Sequence, residues 1–316
     1  MATLKIDTVS RWFGNVVAVN DVTMEFGPGV TGLLGPNGAG KSTLINMMGG
    51  FLPPSSGAVT LDDEPVWRNE GIYRRIGLVP EREAMYDGVN GYDFVLANAK
   101  LHGLPDPGAA TARAIATVDL VDAQDRPIAT YSKGMRQRAK LATALVHDPQ
   151  VLLLDEPFNG LDPRQRIHLM DLLRSMGKEG RTVIVSSHIL EEVEELASRI
   201  EVMVSGRHAA SGGFREIRKL MTERPHQYTI RSADDRALAS AIIAERCASA
   251  VQLVLPKGAG TAPGVNHDAT LQVQATDVGE FVRVLPRIAL SRGIRLYEVS
   301  PADESLESVF AYLVAR

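Results

Sequence analysis

Residues Gly35 to Thr43 read GPNGAGKST and follow directly on the apolar run Val30-Thr31-Gly32-Leu33-Leu34. A short buried strand therefore runs into a glycine loop, and the pattern after Lys41 predicts a helix to about Met48. Gly35, Gly38 and Gly40 let successive backbone N–H groups curl around phosphate oxygens without obstruction by Cβ atoms. Pro36, Asn37 and Ala39 complete the loop, and the helix N-terminus adds its positive end. In such a loop Lys41 reaches the β and γ phosphates of a nucleotide. The Ser42 hydroxyl ligates Mg²⁺, and Thr43 closes the loop against the α-phosphate side. Taken alone, the loop leaves GTPases, kinases and other nucleotide-driven machines open.

Val151-Leu152-Leu153-Leu154-Asp155-Glu156-Pro157 narrows the choice. An apolar strand ending in two acids delivers both carboxylates to the carboxyl edge of the sheet, where open α/β sheets bind ligands. Asp155 is then a candidate for the Mg²⁺ shell. Glu156 is a candidate general base that polarises the attacking water. An isolated Asp-Glu pair is usually just a solvated strand end, but here the loop and the strand each predict the other.

Outward from these two segments, β signals fall at Leu4 to Val9, Val16 to Phe26, Val59 to Leu61 and Ile76 to Val79. Helical patterns follow at Tyr92 to His102, Gly108 to Val121 and Ser132 to Val146. After the acidic strand, Arg164 to Met176, Val183 to Ser186, Leu190 to Ala197 and Ile200 to Val204 continue the alternation. This predicts an α/β fold with a mostly parallel, doubly covered sheet. The first domain is expected over 1–221, with a helical subdomain over about 82–147. Beyond a linker at Thr222 to Pro225, a C-terminal α+β domain is expected over 226–316. It comprises two similar strand-helix-strand halves, a Gly- and Pro-rich connector from Pro256 to His267, and a closing amphipathic helix bearing Leu306, Val309, Phe310 and Leu313.

Composition excludes several classes. The 316 residues are 45% hydrophobic and 23% charged with a formal charge of -4, an ordinary globular balance without the basic footprint of a nucleic-acid binder. Cys247 is the only cysteine, so no intrachain disulfide forms, which fits a reducing cytoplasm. The N-terminus lacks an apolar signal core, and no stretch approaches the roughly 20 apolar residues of a membrane span. The chain is therefore expected to be neither secreted nor membrane-spanning by itself.

Tyr131-Ser132-Lys133-Gly134-Met135-Arg136-Gln137-Arg138 resembles the signature segment of ATP-binding cassette (ABC) proteins, and it stands just before the acidic strand as in that family. Tyr131, Lys133 and Met135 replace the Leu, Gly and Gln of the commonest form, a variant found in ABC-2 type cassettes. Lys133 thus either adds a phosphate-facing charge or faces water, and the basic run to Lys140 reads as a solvated helix face. Gly160-Leu161-Asp162 resembles the D-loop, and Ser186-Ser187-His188 resembles the switch segment whose histidine contacts the γ-phosphate. Phe13, in Trp12-Phe13-Gly14, occupies the place of the aromatic that stacks on adenine. The weaker resemblance of Ser305 to Phe310 is to the closing segment of drug-export cassettes.

The resemblance implies a P-loop NTPase cassette with an antiparallel β subdomain, and a nucleotide held between two cassettes. Ser132 and the Gly134 amide, at a helix N-terminus, then donate to the γ-phosphate bound by the other subunit's loop, and Asp162 of the D-loop is a further nucleotide-binding candidate. Where the family usually has glutamine after Ile76 to Val79, this chain has Pro80-Glu81, so Glu81 is the candidate metal ligand. The implied activity is ATP hydrolysis with ATP and Mg²⁺, as a subunit that powers export through a separate integral-membrane permease at the cytoplasmic face. The permease would dock in the groove between Glu81 and the helices after Tyr92, with Met85, Tyr86 and Phe94 as contacts. A regulatory membrane complex that moves no substrate stays open. A ribosome- or nucleic-acid-acting ATPase lacks support: there is one cassette, no long coiled-coil insertion, no zinc-binding cysteine set and no basic stripe.

Overall fold

The computed structural model describes residues 2–82, 85–86, 88–213, 215–217, 226–245, 247–254, 270–275 and 277–301. The expected boundary at Met221, the linker at Thr222 to Pro225, the connector from Pro256 to His267 and the closing segment from Ser305 to Leu313 lie outside them. The chain divides into two compact units, Met1–Ile217 and Arg218–Arg316.

In the first unit, β1 (Leu4–Phe13) turns at Gly14, φ 59°, into β2 (Val16–Phe26). Strand β3 (Gly29–Leu34) feeds the glycine loop and α1 (Lys41–Met48). Then come β4 (Ser56–Leu61), β5 (Glu64–Pro65), a short α2 (Glu70–Tyr73) and β6 (Ile76–Val79). Three helices follow before the acidic strand β7 (Val151–Leu154). They are α3 (Gly91–Leu101), α4 (Pro107–Thr117) and α5 (Lys133–Leu145), capped by the side chains of Asn90, Asp106 and Ser132. The unit continues through α6 (Pro163–Lys178), β8 (Thr182–Ser187), α7 (Leu190–Leu196), β9 (Arg199–Val204) and β10 (Arg207–Gly212).

Two sheets result. One is antiparallel, ordered β2-β1-β4-β5, and the other runs β10-β9-β3-β8-β7-β6, parallel except for β10. Side chains alternate along a strand, so Val151 and Leu153 enter a core shared with α1 and the antiparallel sheet. Leu152 and Leu154 face the other core, built with α3 to α6. Burial on both faces explains why β7 reads as an unbroken apolar run.

Helix α4 stops at Thr117 rather than Val121, because Asp119 adopts a left-handed φ of 55° and Val121–Ala123 forms a 3-10 turn. Strand β10 forms beyond the last strand expected in the first domain, although Arg-His-Ala-Ala-Ser-Gly carries no apolar alternation. The basic run on α5 is not wholly solvated: Lys140 is buried and donates to the carbonyls of Pro80 at 2.8 Å and Glu81 at 3.3 Å.

The second unit contains β11 (His226–Ser232), α8 (Asp235–Ala244), β12 (Ala250–Val254), β13 (Thr270–Ala275), α9 (Val278–Arg292) and β14 (Leu296–Pro301). Its antiparallel sheet is ordered β12-β13-β11-β14, so the two strand-helix-strand halves interleave as in a split βαβ, ferredoxin-like unit. Ile230, Leu271 and Val273 of the sheet pack with Leu238, Ile242, Phe281 and Leu285 of the helices. Cys247 joins this core, and burial pushes its thiol pKa up, as expected of an inert cysteine.

Candidate active site

Three strand ends build the site. Leu34 pairs with Ser187, and Leu154 pairs with Val185. This register makes the glycine loop, the Ser186-Ser187-His188 segment and the Asp155-Glu156 pair leave the parallel sheet side by side. The loop is fastened to β8 by the Gly35 N–H, which donates to the Ser187 carbonyl at 3.3 Å.

Two loop glycines are steric necessities. A Cβ at Gly35 would lie 2.3 Å from the Met203 carbonyl oxygen, and one at Gly40, whose φ is 97°, would lie 2.4 Å from that of Ala18. Gly38 has a φ of 80° with open space beside it. Gly38 and Gly40 thus adopt backbone conformations that keep the loop's face open at the start of α1.

Lys41 is buried, and its ammonium donates to the carbonyls of Gly35 at 2.7 Å and Pro36 at 3.2 Å. It also stands 3.2 Å from Glu156 Oε1. That contact is an ion pair rather than an aligned hydrogen bond, since Oε1 has no hydrogen-bond partner. Glu156 Oε2 lies 2.9 Å from His188 Nδ1. Glu156 itself has a φ of 47°, a left-handed conformation for a non-glycine residue of the kind that clusters at functional sites.

The fully buried Ser186 hydroxyl steadies that turn: it accepts from the Glu156 N–H at 2.8 Å and donates to Asp155 Oδ1 at 2.7 Å. In the sequence Ser186 is only a neighbour of His188, and nothing along the chain signals this role, because the β7–β8 register is what sets it beside the acids.

A cleft of about 430 Å³ is lined by Asn37 to Thr43 together with Val16, Val17, Ala18, Glu81 and Glu156. The structure therefore brings Asn37, Gly38, Ala39, Gly40, Lys41, Ser42, Thr43, Glu81 and Glu156 to one place. His188 joins through Glu156, and Asp155 through Ser186. Phe13 is half-exposed at the end of β1, with the Arg11 guanidinium 4.7 Å from its ring centre. Ser132 and Asp162 cap α5 and α6 by accepting from Met135 N and Gln165 N. Neither they nor Gly134 are among the residues lining this cleft. Lys133 lies across Gly160, where a Cβ would come within 2.1 Å of its Nζ, so the signature helix leans on the turn before Asp162.

The donor chemistry suits Mg²⁺: Ser42, Asp155 and Glu81 offer hard oxygen atoms, and Mg²⁺ commonly takes one or two carboxylates and fills its shell with phosphate and water. Among the described residues no cluster of three His, Cys, Asp or Glu side chains is arranged as an all-protein metal cage.

A central parallel strand ending in a glycine cradle, with an acid pair two strands away and a histidine closing on the second acid, defines a P-loop nucleotide hydrolase of the cassette kind. Residues 19–159 match the family described as ABC transporter. The chain is 33% identical over 320 residues to the daunorubicin resistance ATP-binding protein DrrA3 of Streptomyces coeruleorubidus, covering 98% of this chain and 95% of that protein. It is 34% identical over 214 residues to the linearmycin resistance ATP-binding protein LnrL of Bacillus subtilis, covering 66% of this chain and 68% of that one. Among solved structures it resembles CbiO1 of Clostridium perfringens, part of an ABC transporter complex. The identity is 30%, the TM-score 0.62 and the coverage 68% of this chain and 90% of that one. The chain belongs to the ABC transporter ATP-binding family and is an ABC ATPase, in agreement with the resemblance carried by Tyr131 to Arg138. No helix among the described residues is long and apolar enough to cross a membrane.

Proposed function

We propose that this chain is the ATP-hydrolysing subunit of an exporter and that it works on the cytoplasmic face of the membrane against a separate integral-membrane permease. The observation that carries the reading is the convergence of Lys41 and His188 on the two oxygens of Glu156, at 3.2 Å and 2.9 Å, beside the glycine loop. The names of the relatives that resist daunorubicin and linearmycin support export. So does the exposed apolar groove lined by Phe51, Leu78, Tyr86 and Phe94, a surface suited to a permease segment.

In this reading the loop N–H groups and Lys41 bind and orient the phosphates. Glu156 takes the proton of the attacking water, and His188 holds the Glu156 carboxylate and meets the γ-phosphate. Bound Mg²⁺, held by Ser42, Asp155 and Glu81, supplies charge neutralisation. Phe13 stacks on adenine. Ser132, the Gly134 N–H and Asp162 act on the nucleotide of a second cassette, because they stand away from this chain's own cleft, and closure of the two cassettes drives the permease.

The test is Glu156→Gln in the full chain. It is expected to bind ATP with near wild-type affinity, to slow phosphate release by about 10²–10⁴, and to accumulate dimers with ATP on size-exclusion chromatography with light scattering. A variant that hydrolyses at the wild-type rate, or stays monomeric with ATP at every concentration, would falsify the shared-site reading.

A further inference from the structure

Ser187 lies beside Ser186 on β8, and successive strand side chains face opposite ways. Its hydroxyl donates to Glu192 Oε2 at 2.6 Å and accepts from the Ile189 N–H at 3.0 Å. The two residues flanking His188 are thus pinned by one hydroxyl. The same residue's carbonyl holds the first N–H of the glycine loop.

Glu192 is 97% buried as a side chain, being 3% exposed. A carboxylate so placed is strongly disfavoured unless both oxygens find partners. Its oxygens are divided between two elements: Oε2 takes Ser187, and Oε1 lies 3.3 Å from Arg166 Nη1 on α6. Arg166 stands in the first turn of α6, its N–H bonded to the Asp162 carbonyl at 3.0 Å. Further along, Arg174 grips the Glu195 carbonyl from the same helix through Nε at 3.1 Å and Nη2 at 2.5 Å. Helix α6 is therefore tied twice to α7, and the first tie continues through Glu192 to Ser187, one residue from the histidine that contacts Glu156.

We propose that Glu192 and Arg166 are positioning residues that set the His188–Glu156 contact according to where the Asp162 turn stands. The inference rests on the hydrolytic role given to Glu156 and His188 above. Closure of a second cassette onto the Asp162 turn is then reported to the histidine of the same chain through a buried ion pair, Arg166 to Glu192, and a hydrogen bond, Glu192 to Ser187. Neither residue is among those lining the nucleotide cleft, so their loss acts on turnover and leaves nucleotide binding alone.

The experiment compares Arg166→Met, Glu192→Gln, the double variant and Arg166→Lys in the full-length chain. Arg166 is partly exposed, so its variants fold even if those of Glu192 do not. Glu192→Gln keeps an oxygen for Ser187 and removes the charge. Phosphate release gives kcat and KM, and a trinitrophenyl-ATP titration gives affinity. Arg166→Met and Glu192→Gln are each expected to lose about tenfold in kcat, with KM and affinity within about twofold of wild type. The double variant is expected to be no slower than the slower single, as for two members of one unit, and Arg166→Lys to recover part of the rate. An unchanged kcat in Arg166→Met, multiplying losses in the double variant, or an affinity that falls with kcat overturns the coupling. A wild-type chain that binds nucleotide but releases no phosphate overturns the hydrolytic reading itself and this inference with it.

Discussion

Ser186 donates its hydroxyl proton to Asp155 Oδ1 across 2.7 Å while accepting the Glu156 N–H at 2.8 Å, so one buried oxygen orders both acids. Removing it leaves a buried N–H without its partner, a loss of about 1–3 kcal/mol, and frees a turn held at a left-handed φ. Ser186→Ala is therefore expected to lower the urea midpoint and to slow phosphate release more than it weakens nucleotide binding. Equal stability and turnover in the variant and the wild type would remove Ser186 from the site.

Gly38 and Gly40 both have positive φ, but only Gly40 faces a wall, the Ala18 carbonyl of β2. Backbone strain of about 1–3 kcal/mol applies to alanine at either position, and Gly40→Ala adds a clash that cannot be relieved by turning a side chain. Nucleotide titration is expected to show Gly40→Ala weaker than Gly38→Ala by about tenfold or more. A reversed order would mean that β2 yields easily.

Much of this was legible along the chain because it is local. The glycine loop, the apolar run before Asp155 and the Ser132 cap all lie within single stretches whose period and end residues announce the element, and α1 falls on Lys41–Met48 as the pattern implies. What escaped depends on pairing. Ser186 acquires its role from the β7–β8 register, and Glu192 from the packing of α7 on α6. Lys140 turns inward because the carbonyls of Pro80 and Glu81 wait for it. Helix α4 was overrun since alanine-rich sequence carries helical propensity past the point where Asp119 leaves the helix. The interleaving of the C-terminal halves, finally, is a choice of strand order, which repeats of strand and helix do not encode.

His102, which closes α3, stacks on His147 at 3.9 Å with the rings 9° apart, and His147 Nε2 lies 3.0 Å from the Ile76 carbonyl. Burial, reinforced by the neighbouring imidazole, holds the His147 pKa down to about 4, and burial with Arg74 nearby also lowers that of His102. Both groups take up protons more readily unfolded, near the ordinary value of 6.5. Their contribution to stability is thus complete above 6.5 and is lost as pH falls below it, for His147 down to about 4. Melting temperatures measured across that window are expected to fall less steeply for His147→Phe, which keeps a stacking ring and removes the proton site. Parallel curves for variant and wild type would mean that other groups govern the acid limb.

Glu81 shares the nucleotide cleft with Glu156, while the backbone around it is pinned by Lys140 through the Pro80 and Glu81 carbonyls. The loop is therefore held and the carboxylate is presented to the cleft from a fixed base. A carboxylate here raises the charge density that a divalent cation must neutralise, so this site is expected to need Mg²⁺ for nucleotide binding more than a glutamine-bearing one would. Glu81→Gln is predicted to raise the Mg²⁺ concentration at half-maximal phosphate release and, in EDTA, to bind ATP more tightly than wild type, because one repulsive charge is gone. Lys140→Met leaves the carboxylate in place but loosens its base, so it is expected to lower kcat without the gain in EDTA. Unchanged Mg²⁺ dependence in Glu81→Gln would assign Glu81 to the surface of the cleft rather than to the metal.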